Sequence, residues 1–155
     1  MKRSACILVL AVVAAGCGGG SSGGGELSRS QYEAKMAALN REYKVPKSAV
    51  PSATDFARIP AYFRRVSTAG TKYLAGLRSL KPPHDVAKYH VQLIDGYTKE
   101  EVIFKKLADE LQGAGVARIQ LVLRRFDSSQ LQSAAKEIQS AGSALAAKGY
   151  AFSST

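Results

Sequence analysis

The chain has 155 residues, with 22 Lys and Arg against 12 Asp and Glu (net charge +10), two Cys, two His and no Trp. That length suits one compact domain and excludes a multidomain enzyme or a long repeat array. Two cysteines cannot build a disulfide framework or a Cys-rich zinc site, and seven of the 14 glycines crowd into residues 16–25, which sets the N-terminus apart.

Met1-Lys2-Arg3-Ser4 gives a short basic start, and Ala5 to Ala15 gives eleven apolar residues. As a helix that run reaches about 16 Å, roughly half the hydrocarbon thickness of a bilayer, so it cannot span. A basic start, a short apolar run and small residues Ala14-Ala15-Gly16 form the layout of a secretory signal peptide. Ala14-Ala15-Gly16-Cys17 resembles the lipobox of bacterial lipoproteins, with Ala14 where Leu is usual. The resemblance implies that the Cys17 thiol is joined to diacylglycerol and becomes the first mature residue. The alternative is cleavage near Ala15 with Cys17 an incidental thiol. Cys6 leaves with the signal, so no disulfide is expected inside the exported domain. Two acyl chains give stable anchoring where one is marginal. Gly18 to Gly25 (GGGSSGGG) has no side chains to bury and is expected to be a tether with a root-mean-square reach of about 16 Å. The expected division is therefore 1–16 lipoprotein signal peptide, 17–25 lipidated Cys and tether, and 26–155 helical domain.

Ser28 and Gln31 make a capping box, flanked by Leu27 and Tyr32 at the positions of a hydrophobic staple. The face continues through Met36, Leu39 and Tyr43, predicting a first helix over about 29–44 that stops at Val45-Pro46. Residues 47–53 read as a connecting loop. Phe56, Ile59, Phe63, Val66, Gly70, Tyr73, Leu77 and Leu80 alternate in steps of three and four. They predict one stripe on a helix of about 27 residues, some 40 Å long. Pro60 is expected to kink it or to leave a short first turn, and Pro82-Pro83 ends it. A third helix is predicted from Pro83 to Asp85 onward to about Gln112, with Val86, Tyr89, Leu93, Tyr97, Phe104, Leu107 and Leu111 inward. A fourth is predicted over about 116–148, with Ile119, Leu123, Phe126, Ala134, Ile138, Ala141 and Leu145 inward. Gly149 fits its left-handed C′ position, with Tyr150 packing back on Leu145. The fold class is all-α, an antiparallel up-and-down bundle of about four helices.

Leu27-Ser28-Arg29-Ser30-Gln31-Tyr32 after a Gly/Ser tether, Leu77-Arg78-Ser79-Leu80-Lys81-Pro82-Pro83 before a long helix, and a final Gly149-Tyr150 resemble the small exported all-α lipoproteins abundant in actinobacteria. That group has no assigned biochemical activity, so the resemblance implies location and fold more than function. Its members carry one Cys in the first helix and one at the C-terminus. Here those positions are Asn40 and about Ser153, which implies that the bridge is absent and the C-terminal tail loose.

Catalytic chemistry finds little support. His84 and His90 stand six apart, on different helix faces, whereas a shared metal wants i and i+4; no Glu-x-x-His or Cys-x-x-Cys-His occurs. His84 is expected at an exposed helix start and His90 on a helix flank. There is no Gly-x-Ser-x-Gly elbow, and the Gly-rich tether lacks the Lys-Ser/Thr that a phosphate-binding loop needs. No catalytic residue, metal or cofactor is expected. Glu100 interrupts the third helix's stripe. Either it turns outward with Val102 or Ile103 covering its turn, which is the expectation, or it joins Tyr73 and Tyr97 in a polar cleft between helices.

Charge is the remaining signal. Loss of Lys2 and Arg3 with the signal leaves 20 cations against 12 acids. The pairs Arg64-Arg65, Lys105-Lys106 and Arg124-Arg125 fall on three predicted helices. Near an anionic membrane each such residue contributes about 1 kcal/mol, whereas cations scattered over solvated faces serve solubility alone, which is the expectation. The expected function is a non-enzymatic binding or interaction module of the cell envelope, anchored in the lipid bilayer through diacylglyceryl-Cys17 on the extracytoplasmic face of the cell membrane. Its candidate partners are anionic lipid, cell-wall polymer or an envelope protein, with nucleic acid a poor partner for an exported chain. The alternative is a small-ligand carrier with a Tyr-lined cleft, and an enzyme without a recognisable motif comes third.

Overall fold

A computed structural model describes residues 25–43, 51–52 and 55–152. The segment expected to be a signal peptide, Cys17, almost all of the expected tether, Val45-Pro46 and Ser153 lie outside the described residues. Within them the chain is all-helical: α1 Arg29–Glu42, α2 Ile59–Ser79, a 3-10 turn His84–Val86, α3 Ala87–Leu111, α4 Val116–Arg125 and α5 Ser129–Ala147. No strand occurs among the described residues.

The capping box forms as its residues dictate. Ser28 Oγ accepts from the Gln31 backbone N–H at 3.3 Å, and the Gln31 side chain accepts from the Ser28 N–H at 2.9 Å. Two of the amides that a helix start leaves without partners are satisfied together. At the far terminus Gly149 takes φ +83°. The Tyr150 N–H reaches the Leu145 carbonyl at 3.1 Å and the Gly149 N–H the Ala146 carbonyl at 2.8 Å. These two bonds make a Schellman ending.

Two expectations need correction. The long second stripe does not form one helix from Phe56. Residues 56–58 make a turn, α2 starts at Ile59, and Pro60 stands in its first turn, where a missing N–H costs no helical bond. The predicted fourth helix is two helices. The chain breaks at Phe126 to Ser128, where the Asp127 carboxylate accepts from both the backbone N–H and the hydroxyl of Ser129 at 2.8 Å. Those bonds hold the Asp127 pKa below its ordinary value, and they give the start of α5 its anchor.

α3 is the central element, packed along α2 on one side and α5 on the other. Leu77 near the end of α2 touches His90 near the start of α3, and the Phe63 and Phe104 rings meet 6.2 Å apart at the opposite end. The two helices therefore run antiparallel. Close approach to α5 depends on Gly96: a Cβ there would stand 2.7 Å from Ile138 Cγ1 and 3.3 Å from the Ala134 carbonyl oxygen. Gly76 admits the Leu39 side chain of α1 against α2 in the same way.

The core divides into two clusters. One, at the end where α2 stops and α3 begins, holds Tyr32, Met36, Tyr73, Leu77, Val86, Leu93, Ala141, Leu145 and Tyr150. The other, around the start of α2, the end of α3 and α4, holds Ile59, Leu107, Leu111, Ile119 and Val122. Fully burying such an aliphatic side chain stabilises by about 1.5–3 kcal/mol.

His90 is the third correction. It is 2 % exposed and part of the interior, not a flank residue. Its Nδ1 meets the Tyr32 hydroxyl at 2.9 Å and its Nε2 meets the Leu77 carbonyl at 3.0 Å. A carbonyl has no proton to give, so Nε2 carries the hydrogen and Nδ1 accepts from the tyrosine.

Candidate cationic end and tyrosine groove

The domain's two termini come together at one end. The Leu27 N–H donates to the Lys81 carbonyl at 2.9 Å. The Arg29 guanidinium lies 4.8 Å from the centre of the Tyr150 ring and bonds the Gly149 carbonyl. The Ala151 N–H donates to Glu33 at 3.1 Å, which holds the Glu33 pKa down, and the Phe152 ring lies 5.8 Å from Tyr32. The C-terminal segment is thus fastened through Phe152, and the tail from Ser153, which the resemblance implies to be loose, lies outside the described residues. Gly25, the first described residue, precedes Leu27 at this same end.

The basic pairs collect at the other end. Arg64-Arg65 directly follow Phe63, and Lys105-Lys106 directly follow Phe104, so the contact between those two rings sets both pairs at one level of the fold. Lys106 and Arg125 line a common recess of about 650 Å³ with Arg118, Glu110 and Asp127. All six paired residues are exposed, and none forms an ion pair among the described residues. The antiparallel run of α2 and α3 places the early turns of one beside the late turns of the other, and α4 follows directly. The pairs thus lie toward one end of the fold, with Lys106 and Arg125 on one recess and Arg64-Arg65 on a separate groove.

A second feature lies between the end of α1 and α2, a groove of about 380 Å³. Arg64, Thr68 and Lys72 form one row along it, and Arg65, Ala69 and Tyr73 a second, each spaced four residues apart on α2. Leu39, Glu42 and Tyr43 of α1 make the facing wall. Behind it three tyrosines cluster: the rings of Tyr43 and Tyr73 are 4.6 Å apart and those of Tyr73 and Tyr97 4.8 Å. The Tyr73 hydroxyl donates to Asn40 Oδ1 at 2.7 Å, which ties the end of α1 to α2. Burial pushes the Tyr43 phenol up to about 12, with the nearby Glu100 charge adding to the shift, and burial raises Tyr73 and Tyr97 as well.

Glu100 does not turn fully outward. It is half-buried, and burial raises its carboxyl above the ordinary range; of the two residues expected to cover this turn, Val102 is 57 % exposed and Ile103 packs against the second core cluster. Of the three predicted cleft residues, Tyr73 and Tyr97 meet directly, and Glu100 acts on Tyr97 and Tyr43 through its charge. Only Tyr73 of the three lines the groove itself. Tyr43, placed by the sequence on the inward face of α1, lines the groove as well, whereas sequence reasoning missed Lys72, although the step from Arg64 to Thr68 to Lys72 is legible as a helical row.

Among the described residues no group of three His, Cys, Asp or Glu is placed to hold a metal, and no helix is long and apolar enough to cross a membrane. His84 is exposed at the start of the 3-10 turn. No family model matches the chain, and no curated protein or solved structure is significantly similar to it.

Proposed function

We propose that the chain is a lipid-anchored, exported and non-enzymatic binding module of the cell envelope, held through diacylglyceryl-Cys17 on the extracytoplasmic face of the membrane. On this reading it belongs with the small exported all-α lipoproteins of actinobacterial type, residues 1–16 being the signal peptide and 17–25 the lipidated Cys and tether. The helices then make an antiparallel up-and-down bundle whose fourth member is divided into α4 and α5.

The observation that carries this reading is the gathering of Arg64-Arg65, Lys105-Lys106 and Arg124-Arg125 at the end opposite the tether. The 25 residues of α3 separate the two ends by about 37 Å at 1.5 Å per residue. A domain tethered at one end turns its unpaired cations away from its own anchor. An anionic polymer of the envelope fits that arrangement, because its repeated charges meet several cations at once and its approach is steered by their summed field. The non-enzymatic part is supported by side-chain chemistry: both nitrogens of the buried histidine are engaged, by Tyr32 and Leu77.

Cell fractionation of the native protein and of Cys17→Ala tests the anchor. The native protein is expected in the membrane fraction and the variant in the soluble exported fraction. Retention of the variant in the membrane would overturn the assignment.

A further inference from the structure

We infer that the groove between α1 and α2 is a binding site for a small anionic amphiphile, its phosphate or carboxylate head on Arg64, Arg65 and Lys72 and its apolar body against Leu39, Tyr43 and Tyr73. This site shares Arg64 and Arg65 with the cationic end proposed above, adds Lys72 and the tyrosine wall, and does not depend on the anchor.

The shape comes from residue size. Thr68 and Ala69 are short side chains in the middle of two rows whose ends are long, so the surface of α2 is hollow between Arg64-Arg65 and Lys72-Tyr73. Arg64 and Lys72 stand eight residues apart, about 12 Å along the axis. The volume of about 380 Å³ falls at the low end of the range for small-molecule sites. It suits one short chain or ring rather than a two-chain lipid.

The charges give the occupant an orientation. Three cations lie on the α2 side and one acid, Glu42, on the α1 side, and none of the four is in an ion pair among the described residues. An anionic head is therefore drawn to α2 and repelled from α1. The guanidinium forks of Arg64 and Arg65 suit a planar or tetrahedral oxyanion. The Tyr43 and Tyr73 rings, packed on Tyr97, supply a wall that is already ordered before the ligand arrives, so little rotamer freedom is lost on binding.

Tyrosine fluorescence and calorimetric titration of purified Cys17→Ala protein test the site, because the chain has no Trp to mask the seven tyrosines. The probes are octyl phosphate, octyl glucoside and octyltrimethylammonium, each below its micelle concentration, and inorganic phosphate alone. Octyl phosphate is expected to bind one to one and to change the tyrosine signal, with the other three at least tenfold weaker. The exposed triple replacement Arg64→Ser, Arg65→Ser and Lys72→Ser should weaken octyl phosphate tenfold or more, and Arg124→Ser with Arg125→Ser should leave it unchanged. Equal binding of the three head groups places no requirement on charge and overturns the proposal. Inorganic phosphate binding as tightly as octyl phosphate removes the apolar part and overturns it too, as does a triple variant that binds like its parent. Loss of binding in Arg124→Ser with Arg125→Ser would move the site to the recess between α3 and α4 and reject the groove.

Discussion

The Tyr32 hydroxyl donates to His90 Nδ1 across 2.9 Å in the core, which commits the imidazole to its neutral form because Nε2–H is already given to the Leu77 carbonyl. Burial lowers the His90 pKa, the bond to Leu77 offsetting only part of the shift. Just below the ordinary histidine value of about 6.5 the unfolded chain takes up a proton that the folded chain refuses. Stability therefore falls as pH drops from 7 toward 5. Denaturant midpoints across that range should decline for the native protein and flatten in His90→Gln; parallel curves would remove His90 as the cause.

Glu100 has the opposite sign. Its folded pKa is raised by burial, so the folded state holds a proton more firmly than the unfolded one. Its destabilising charge is fully present at neutral pH and is relieved as pH falls through the raised value toward the ordinary carboxylate range. Glu100→Gln should stabilise the protein at pH 7 and should make the acid-side loss from His90 steeper. A variant less stable than the native protein at pH 7 would mean that the carboxylate has a partner that it needs charged.

Gly96 and Gly76 should respond differently to alanine. At Gly96 the new methyl meets Ile138 at 2.7 Å and the Ala134 carbonyl at 3.3 Å, and backbone cannot step aside. Overpacking of this kind costs about 1–3 kcal/mol, against roughly 1 kcal/mol gained in helix propensity. At Gly76 the neighbour is the end of the flexible Leu39 side chain, so Gly76→Ala should be close to neutral. Chemical denaturation of the pair checks this, and equal losses would contradict the packing assigned to α3 and α5.

The termination of α5 is a fourth test. Gly149 sits at φ +83°, where a side chain costs about 1–2 kcal/mol. Gly149→Ala should lose that amount and should also loosen the Arg29 contact with the Gly149 carbonyl and the Tyr150 ring. Unchanged thermal stability would argue against the Schellman ending.

Much of this architecture is legible in the sequence where one physical signal dominates. The Ser28–Gln31 box, the α2 stripe and Gly149 each rest on local chemistry that packing had no reason to override. The break at Asp127 is hidden because Phe126 continues the apolar stripe through it, although Asp127-Ser128-Ser129 is the chemistry of a helix start. His90 stands four residues after Val86 and three before Leu93, on the core stripe, and only its polarity argued for a flank. The level of the basic pairs needs helix direction as well as composition: the pairs at 64 and 105 fall early on α2 and late on α3, which run antiparallel, and the pair at 124 falls in the last turn of α4. The groove depends on Thr68 and Ala69 being small opposite the end of α1, a relation between elements that no single stretch of sequence carries.

The central claim is that function resides in the cationic end remote from the tether. It is tested most directly by measuring the binding of Cys17→Ala protein to poly(glycerol phosphate) in two charge-reduced variants. One replaces Arg64, Arg65, Lys105, Lys106, Arg124 and Arg125 with Ser; the other replaces the same number elsewhere, at Lys35, Arg41, Arg78, Lys88, Lys136 and Lys148. The account predicts salt-sensitive binding that the first variant loses by tenfold or more and the second largely keeps. Equal losses in the two variants would show that net charge alone draws the polymer, and would contradict an organised site.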